Sequence, residues 1–170
     1  MINVVSSLEG WCTAEKAQRL YDLIKESNSM LTIELGVFGG RSLIPMAMAH
    51  RDKESGYIIG FDAWKASVAI GGTNSPANDV FWQNIDYKGV YNSCQEGIYK
   101  NGVQDYCDTV RMSSQRAAPI LADNIIDILH QDSTHNVETI TEELNLWIPK
   151  VKVGGLWVAD DVDWVEAVAG

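Results

Sequence analysis

The sequence predicts an α/β protein built on a doubly wound parallel sheet, and three observations carry that prediction. Residues 30–33, apolar with a β-branched pair, run into Glu34-x-Gly36-x-x-Gly39-Gly40 and then into an apolar helical stretch, residues 43–49. Strand, glycine turn, helix is how a parallel sheet presents a nucleotide site. A second apolar strand, residues 57–62, ends on an acid, Asp62, roughly twenty residues past the turn. Two later apolar runs, residues 125–129 and 156–159, are each followed by acids, Asp132 and then Asp160 and Asp161. Strands apolar at nearly every position are what a parallel sheet covered on both faces requires.

The elements follow in chain order. Thr13 is placed to cap a first helix in which Ala17, Leu20, Tyr21 and Ile24 share one face, suited to packing on the sheet. Trp11, just before the cap, reads either as a hydrophobic staple or as part of a segment lying over a ligand. After the first strand, Gly36 lets a ligand approach the backbone, and the Gly39-Gly40 pair permits positive φ. Free N–H groups at the helix start, around Ser42, would face a carboxylate or phosphate. Glu34, ahead of the first glycine, would repel a pyrophosphate and suits a cation, an amino group or a sulfonium. Pro45 falls early in the next helix, where one lost donor is tolerated. His50 at its far end reads as a residue interacting with the helix dipole.

Asp62 is placed either to accept the hydroxyls of a ribose, in whichever nucleoside, or simply to start a loop. Residues 65–78 show no periodicity and include Gly71-Gly72-Thr73-Asn74-Ser75-Pro76, a long polar loop of the kind that is either a lid or disordered. Beyond it, Val80, Phe81, Ile85, Tyr91, Cys94 and Ile98 predict a helix or a broken pair of helices over the mouth of the site, ended by Asn101-Gly102. Trp64, Phe81 and Trp82 either meet an apolar substrate there or pack as ordinary core. Residues 107–112 form the third strand. Ser113-Ser114-Gln115 then either supplies a donor and acceptor to an adenine edge or caps a helix. The fourth strand, residues 125–129, is apolar enough to be central, and His130 at its end reads as a satisfied core histidine. Val137, Ile140, Leu144 and Trp147 mark an amphipathic helix stopped by Pro149, with Glu138, Glu142 and Glu143 expected in solvent. Gly154-Gly155 turns the chain into the fifth strand, residues 156–159.

Composition narrows the function classes. At 170 residues and 46% hydrophobic, residues 1–170 are expected to form one domain with a substantial core. A formal net charge of −10 without a basic stripe argues against a nucleic-acid partner. No run approaches the roughly 18–20 apolar residues of a membrane span, and no signal pattern opens the chain. Cys12, Cys94 and Cys107 lack metal-like spacing, so reduced thiols in a cytoplasmic protein are expected.

In a doubly wound sheet, ligands bind at the carboxyl ends of the strands. Asp132, Asp160 and Asp161 would converge there and repel one another unless a proton or a cation intervenes. Mg²⁺ or Ca²⁺ would satisfy them. The other reading makes Asp160 or Asp161 a helix cap, since Asp163-x-x-Glu166 has an acidic variant of the capping-box spacing. His135, three residues beyond Asp132, reads either as an imidazole able to take a proton near neutrality or as an exposed residue in the first turn of a helix.

Glu34-x-Gly36-x-x-x-Gly40-x-Ser42 resembles the first motif of class I methyltransferases, and is close to that stretch in the catechol O-methyltransferases. Residues 126–135 and 154–161 are similar to bacterial small-molecule methyltransferases of macrolide and cephalosporin pathways. The resemblance covers most of the chain, from about Trp11 to Trp164. It implies a Rossmann-like domain that binds S-adenosylmethionine across Glu34, Gly36, Gly40 and Ser42, with its ribose on Asp62 and its adenine near Ser114 and Gln115. Asp132 would serve both cofactor and catalysis, and with Asp160 and Asp161 would hold Mg²⁺ or another divalent cation. His135 falls where catechol O-methyltransferases carry a basic lysine, which implies a general base acting on a small-molecule hydroxyl. Such enzymes continue after the fifth strand with a helix and an antiparallel hairpin, whereas this sequence ends at Gly170. The expectation is therefore either a fragment or a homodimer closing the edge with Trp157 or Trp164. Two alternatives stand beside this reading: an NAD-dependent oxidoreductase, and a non-catalytic nucleoside-binding module or assembly subunit.

Overall fold

A computed structural model of the chain describes residues 1–72, 75–133 and 136–160. The expectations placed on His135, Asp161, Asp163, Trp164 and Glu166 lie outside those residues. Strands β1 (Leu31–Leu35), β2 (Tyr57–Asp62), β3 (Cys107–Arg111), β4 (Ile126–Gln131) and β5 (Val151–Ala159) form one parallel sheet in the order β3-β2-β1-β4-β5. The chain winds outward from β1 through β2 to β3, then returns to the other side of β1 for β4 and β5. The winding reverses between β1 and β4, which opens a crevice at their carboxyl ends.

The helices in chain order are α1 (Ile2–Val5), α2 (Ala14–Glu26), α3 (Leu43–Asp52), α4 (Ala66–Ala69), α5 (Pro76–Gln83), α6 (Tyr87–Lys100), α7 (Ser114–Ala117) and α8 (Val137–Trp147). Side-chain alternation along the strands sorts them into two layers. Leu20, Ile24, Leu43, Ala47, Cys94 and Ile98 from α2, α3 and α6 pack with Ile58 and Ile128. Ile33, Leu35, Phe61 and Leu129 point the other way, toward Ala117 and Trp147 of α7 and α8. Glu34 and His130 are register partners in β1 and β4. Each adjoins residues committed to the α7–α8 layer, so alternation turns both toward the α2–α3 layer.

Caps explain where several helices begin. Thr13 accepts from the Lys16 N–H at 3.2 Å, as the spacing predicts. Ser75 accepts from the Asn78 N–H at 3.3 Å with Pro76 in the first helical position, and Asp86 accepts from the Gly89 N–H at 3.0 Å. These two caps break the segment after the lid into α5 and α6. The lid itself departs from expectation, because α4 and the start of α5 lie within residues 65–78. The first strand also runs two residues further than expected and includes Glu34. The fifth begins at Val151, and Gly154, at φ +84, sits in a register shift against β4 instead of ahead of the strand. Leu156 and Trp157, expected to be covered on both faces, are 45% and 44% exposed on an edge strand.

Candidate functional site

A cavity of about 800 Å³ opens at the crevice, floored by the glycine turn and the ends of β2 and β4. The turn is shaped by contact with β4. Gly36 has φ +83, and a Cβ there would lie 2.1 Å from the carbonyl oxygen of Asp132. The Gly36 N–H donates to Phe61 O at 2.9 Å and the Asp132 N–H donates to Leu35 O at 2.8 Å, so the three strand ends are tied at one level. Only a residue without a side chain fits between them.

Asp62 organises this floor. Its Oδ2 accepts from the N–H groups of Val37 at 3.0 Å and Phe38 at 2.9 Å, and its Oδ1 accepts from the Trp64 N–H at 2.7 Å. The carboxylate borders the cavity while holding the turn in place. Phe38 and Trp64 take positive φ, at 48° and 42°, a strained conformation that these hydrogen bonds support.

Of the residues that the sequence assigns to the site, Gly36, Ser42, Asp62, Ser114, Gln115, Asp132 and Asp160 border the cavity. Glu34 and Gly40 do not. Glu34 is fully buried on the α2–α3 side, where His130 Nδ1 lies 2.9 Å from its Oε1, so a direct contact with a cationic ligand is not made. Gly40, at φ +83, instead lets Cys94 and Ile44 approach, since a Cβ would meet their side chains at 3.0 and 3.2 Å.

His130 is as buried as expected but only half satisfied, because its Nε2 has no hydrogen-bond partner among the described residues. Donor atoms of His130, Asp132 and Asp160 lie within 4.8 Å of one another, a set able to hold a metal ion. Asp160 also pairs with the ammonium of Lys16.

Other neighbours of the cavity were not legible from residue type. Glu143, expected in solvent, is 1% exposed. It accepts hydrogen bonds from Ser114 Oγ, Gln131 Nε2 (2.8 Å) and Ser133 Oγ (2.5 Å), and burial holds its carboxyl above the usual carboxylate range. The signal was positional: Glu143 follows Ile140 by three residues and precedes Trp147 by four, which places it on the inward stripe of α8. Neither Ser113 nor Ser114 makes the side-chain cap considered for α7. Arg41 borders the cavity, donates to Gly10 O through Nη1, and has a buried Nε without a partner among the described residues. His50 is not a charged dipole partner. It is fully buried, its Nδ1 donates to Ser55 O at 3.0 Å, its Nε2 accepts from the Thr32 hydroxyl at 2.9 Å, and burial lowers its pKa to about 4.

At the mouth, Trp11 stacks against Phe38 with ring centroids 5.0 Å apart, and Phe81 and Trp82 of α5 close on the same rings at 5.9 and 5.7 Å from Trp11. Trp11 thus belongs to the rim. Trp64 is core, 3% exposed, with its indole N–H donated to Phe38 O at 2.9 Å. The cysteines are free and buried, and burial raises the thiol pKa of Cys12 to about 11 and of Cys107 to about 12, which makes both inert. No described helix is long and apolar enough to cross a membrane.

Comparison with known proteins is consistent with this geometry. Residues 33–162 match the family model described as a methyltransferase domain. No curated protein matches the chain. Among solved structures, the cofactor-bound Rv0187 from MTB superposes with a TM-score of 0.64 at 18% identity, covering 98% of this chain and 70% of that one. The SAH-bound methyltransferase PaMTH1 of Podospora anserina gives 0.65 at 13% identity, covering 89% of this chain and 54% of that one. The O-methyltransferase TomG of Streptomyces achromogenes, involved in tomaymycin synthesis and solved with SAM, gives 0.63 at 19% identity, covering 92% of this chain and 60% of that one. The chain therefore spans less than two thirds of the length of the latter two.

Proposed function

The chain belongs to the methyltransferase-domain family, and from that premise we propose that it transfers the methyl group of S-adenosylmethionine to a hydroxyl of a small molecule, assisted by a divalent cation. The observation that carries the proposal is the cavity at the reversal of the winding, where Gly36, Asp62, Ser114, Gln115 and Asp132 meet. The cofactor, when bound, supplies a sulfonium methyl already activated for displacement. Asp62 has about four acceptor positions, three taken by backbone N–H groups, and the remaining one would accept from a ribose hydroxyl. Ser114 and Gln115 border the adenine end, and Arg41 offers its unpartnered Nε to the carboxylate of the methionine end. Glu34 acts from behind, through His130, and not as a contact to the cofactor.

Asp132 and Asp160, together with Asp161, are the proposed cation ligands. A cation held there would bind the acceptor oxygen and lower the pKa of its hydroxyl. His135 is the proposed base that removes the hydroxyl proton, and Trp11, Phe81 and Trp82 keep water from the reacting atoms. Positioning then carries much of the rate. A cytoplasmic, reducing setting is proposed from the three free thiols, and a second copy along the exposed apolar β5 edge is the proposed partner. A light-scattering mass of a monomer at tens of micromolar would remove the latter.

Calorimetric titration tests the central reading. S-adenosylhomocysteine is expected to bind and NAD not to bind, whereas NAD binding without any response to S-adenosylhomocysteine would establish the oxidoreductase alternative. With an acceptor in hand, His135→Ala should leave cofactor affinity unchanged and lower turnover by roughly 10²-fold or more.

A further inference from the structure

His130 is an unusual group to find with half its hydrogen-bonding capacity unused. It is fully buried between the sheet and the α2–α3 layer, and only its Nδ1 is engaged, 2.9 Å from Glu34 Oε1. A carboxylate at that distance accepts, so it fixes the ring proton on Nδ1 and leaves the Nε2 lone pair pointing away. Nε2 has no hydrogen-bond partner among the described residues, and a ring nitrogen of His130 lies within 4.8 Å of a carboxylate oxygen of Asp132 and of Asp160; with Nδ1 held by Glu34, Nε2 is the nitrogen left to bind. The two acids beside it offer no donor when ionised, whereas a cation would engage the lone pair and both carboxylates together.

We propose that His130 Nε2 is the nitrogen ligand of a transition-metal centre completed by Asp132 and Asp160, with Glu34 holding the imidazole in its ligating tautomer. The proposal rests on the reading that these two acids hold a cation beside the cofactor, and it names the kind of cation. An all-oxygen set suits Mg²⁺ or Ca²⁺, whereas one imidazole with two carboxylates selects Mn²⁺, Fe²⁺, Co²⁺ or Zn²⁺. Neighbouring ligands on such an ion would stand roughly 3.0–3.4 Å apart at bond lengths of about 2.1 Å, so the three groups would have to draw together around it. Asp132 and Asp160 lie at strand ends and are partly exposed, so their side chains turn inward while His130 stays fixed. Glu34–His130–metal is then the carboxylate–histidine–metal arrangement in which an outer acid orients the ligand and raises its basicity. Lys16, whose ammonium meets Asp160 from the solvent side, neutralises that acid when no metal is bound and competes with it.

The test uses the full chain with Mn²⁺ as the probe, in the presence of S-adenosylhomocysteine. Pulsed electron paramagnetic resonance of the wild-type protein is expected to show the nitrogen coupling of a coordinated imidazole. That coupling should persist in His135→Ala and vanish in His130→Gln. Mn²⁺ should bind about tenfold or more tightly than Mg²⁺, and Glu34→Gln should weaken Mn²⁺ by about 10–100-fold. Bound Mn²⁺ without nitrogen coupling in the wild-type protein, or coupling lost in His135→Ala, would overturn the assignment, and neither result depends on how His130→Gln folds. Binding of S-adenosylhomocysteine with no nitrogen-coupled metal would overturn this centre and leave methyl transfer standing. Failure of both ligands to bind would overturn both.

Discussion

Removing the carboxylate of Asp62 should injure stability and cofactor binding together. Three backbone N–H groups converge on it, from Val37 at 3.0 Å, Phe38 at 2.9 Å and Trp64 at 2.7 Å. Hydrogen bonds to a charged acceptor contribute about 1.5–3 kcal/mol each, and a stranded buried donor costs about 1–3 kcal/mol. Water in the adjoining cavity can reach some of these donors after truncation, so Asp62→Ala should lower stability by on the order of 3–5 kcal/mol. Asp62→Asn keeps one oxygen for the Val37 and Phe38 donors and turns its amide toward Trp64, so it should cost about 1–3 kcal/mol. The same truncation frees a turn with strained residues at Phe38 and Trp64. S-adenosylhomocysteine should then bind more weakly by on the order of 2–3 kcal/mol, about 30–150-fold. Urea denaturation and calorimetric titration of both variants measure the two effects. If Asp62→Ala unfolds at the wild-type urea concentration and binds S-adenosylhomocysteine with wild-type affinity, both the clamp and the ribose contact are refuted.

Two further outcomes are expected. His50, with its pKa lowered to about 4 by burial, is neutral in the fold, so its contribution is present above its ordinary pKa and is lost as pH falls from 6.5 through about 4. The whole loss amounts to about 3 kcal/mol, and His50→Asn should flatten that limb of a stability–pH profile. Glu143 has a raised pKa, so the sign reverses: its stabilisation is full below the ordinary carboxylate range and is lost as pH rises through the folded value. Glu143→Gln should stay within about 1 kcal/mol of wild type near pH 6, and Glu143→Leu should lose about 2–4 kcal/mol by stranding Ser114, Gln131 and Ser133. Equal urea midpoints for Glu143→Leu and wild type would discount the buried network.

Local patterns in the sequence were enough to read the sheet and its crevice. Apolar runs marked the strands, Thr13 and Pro149 marked helix ends, and the glycine turn with Asp62 and Asp132 marked where the cavity opens. What could not be read was set by partners far apart in the chain. Glu34 and His130 are 96 residues apart, and their pairing follows from a register that only the folded sheet defines. Lys16 meets Asp160 across 144 residues. Glu143 was misread for a different reason, since its charge suggested solvent while its spacing placed it inward. The extent of β5 was hidden because Gly154 and Gly155 resemble a turn, yet the strand passes through them with a shift in register.

The ring cluster at the cavity mouth also has an optical consequence. Trp11 and Trp82 come from segments 71 residues apart in the sequence, yet their indoles stand 5.7 Å apart with planes inclined at 65°. Chromophores that close and that skewed share excitation, so their strong transitions couple into paired bands of opposite sign in the far-ultraviolet circular dichroism spectrum. The amplitude depends steeply on separation and mutual tilt. A guest that shifts the α5 helix by an ångström would therefore rewrite the signal, and the native chain carries its own unlabelled gauge of whether its entrance is open or shut.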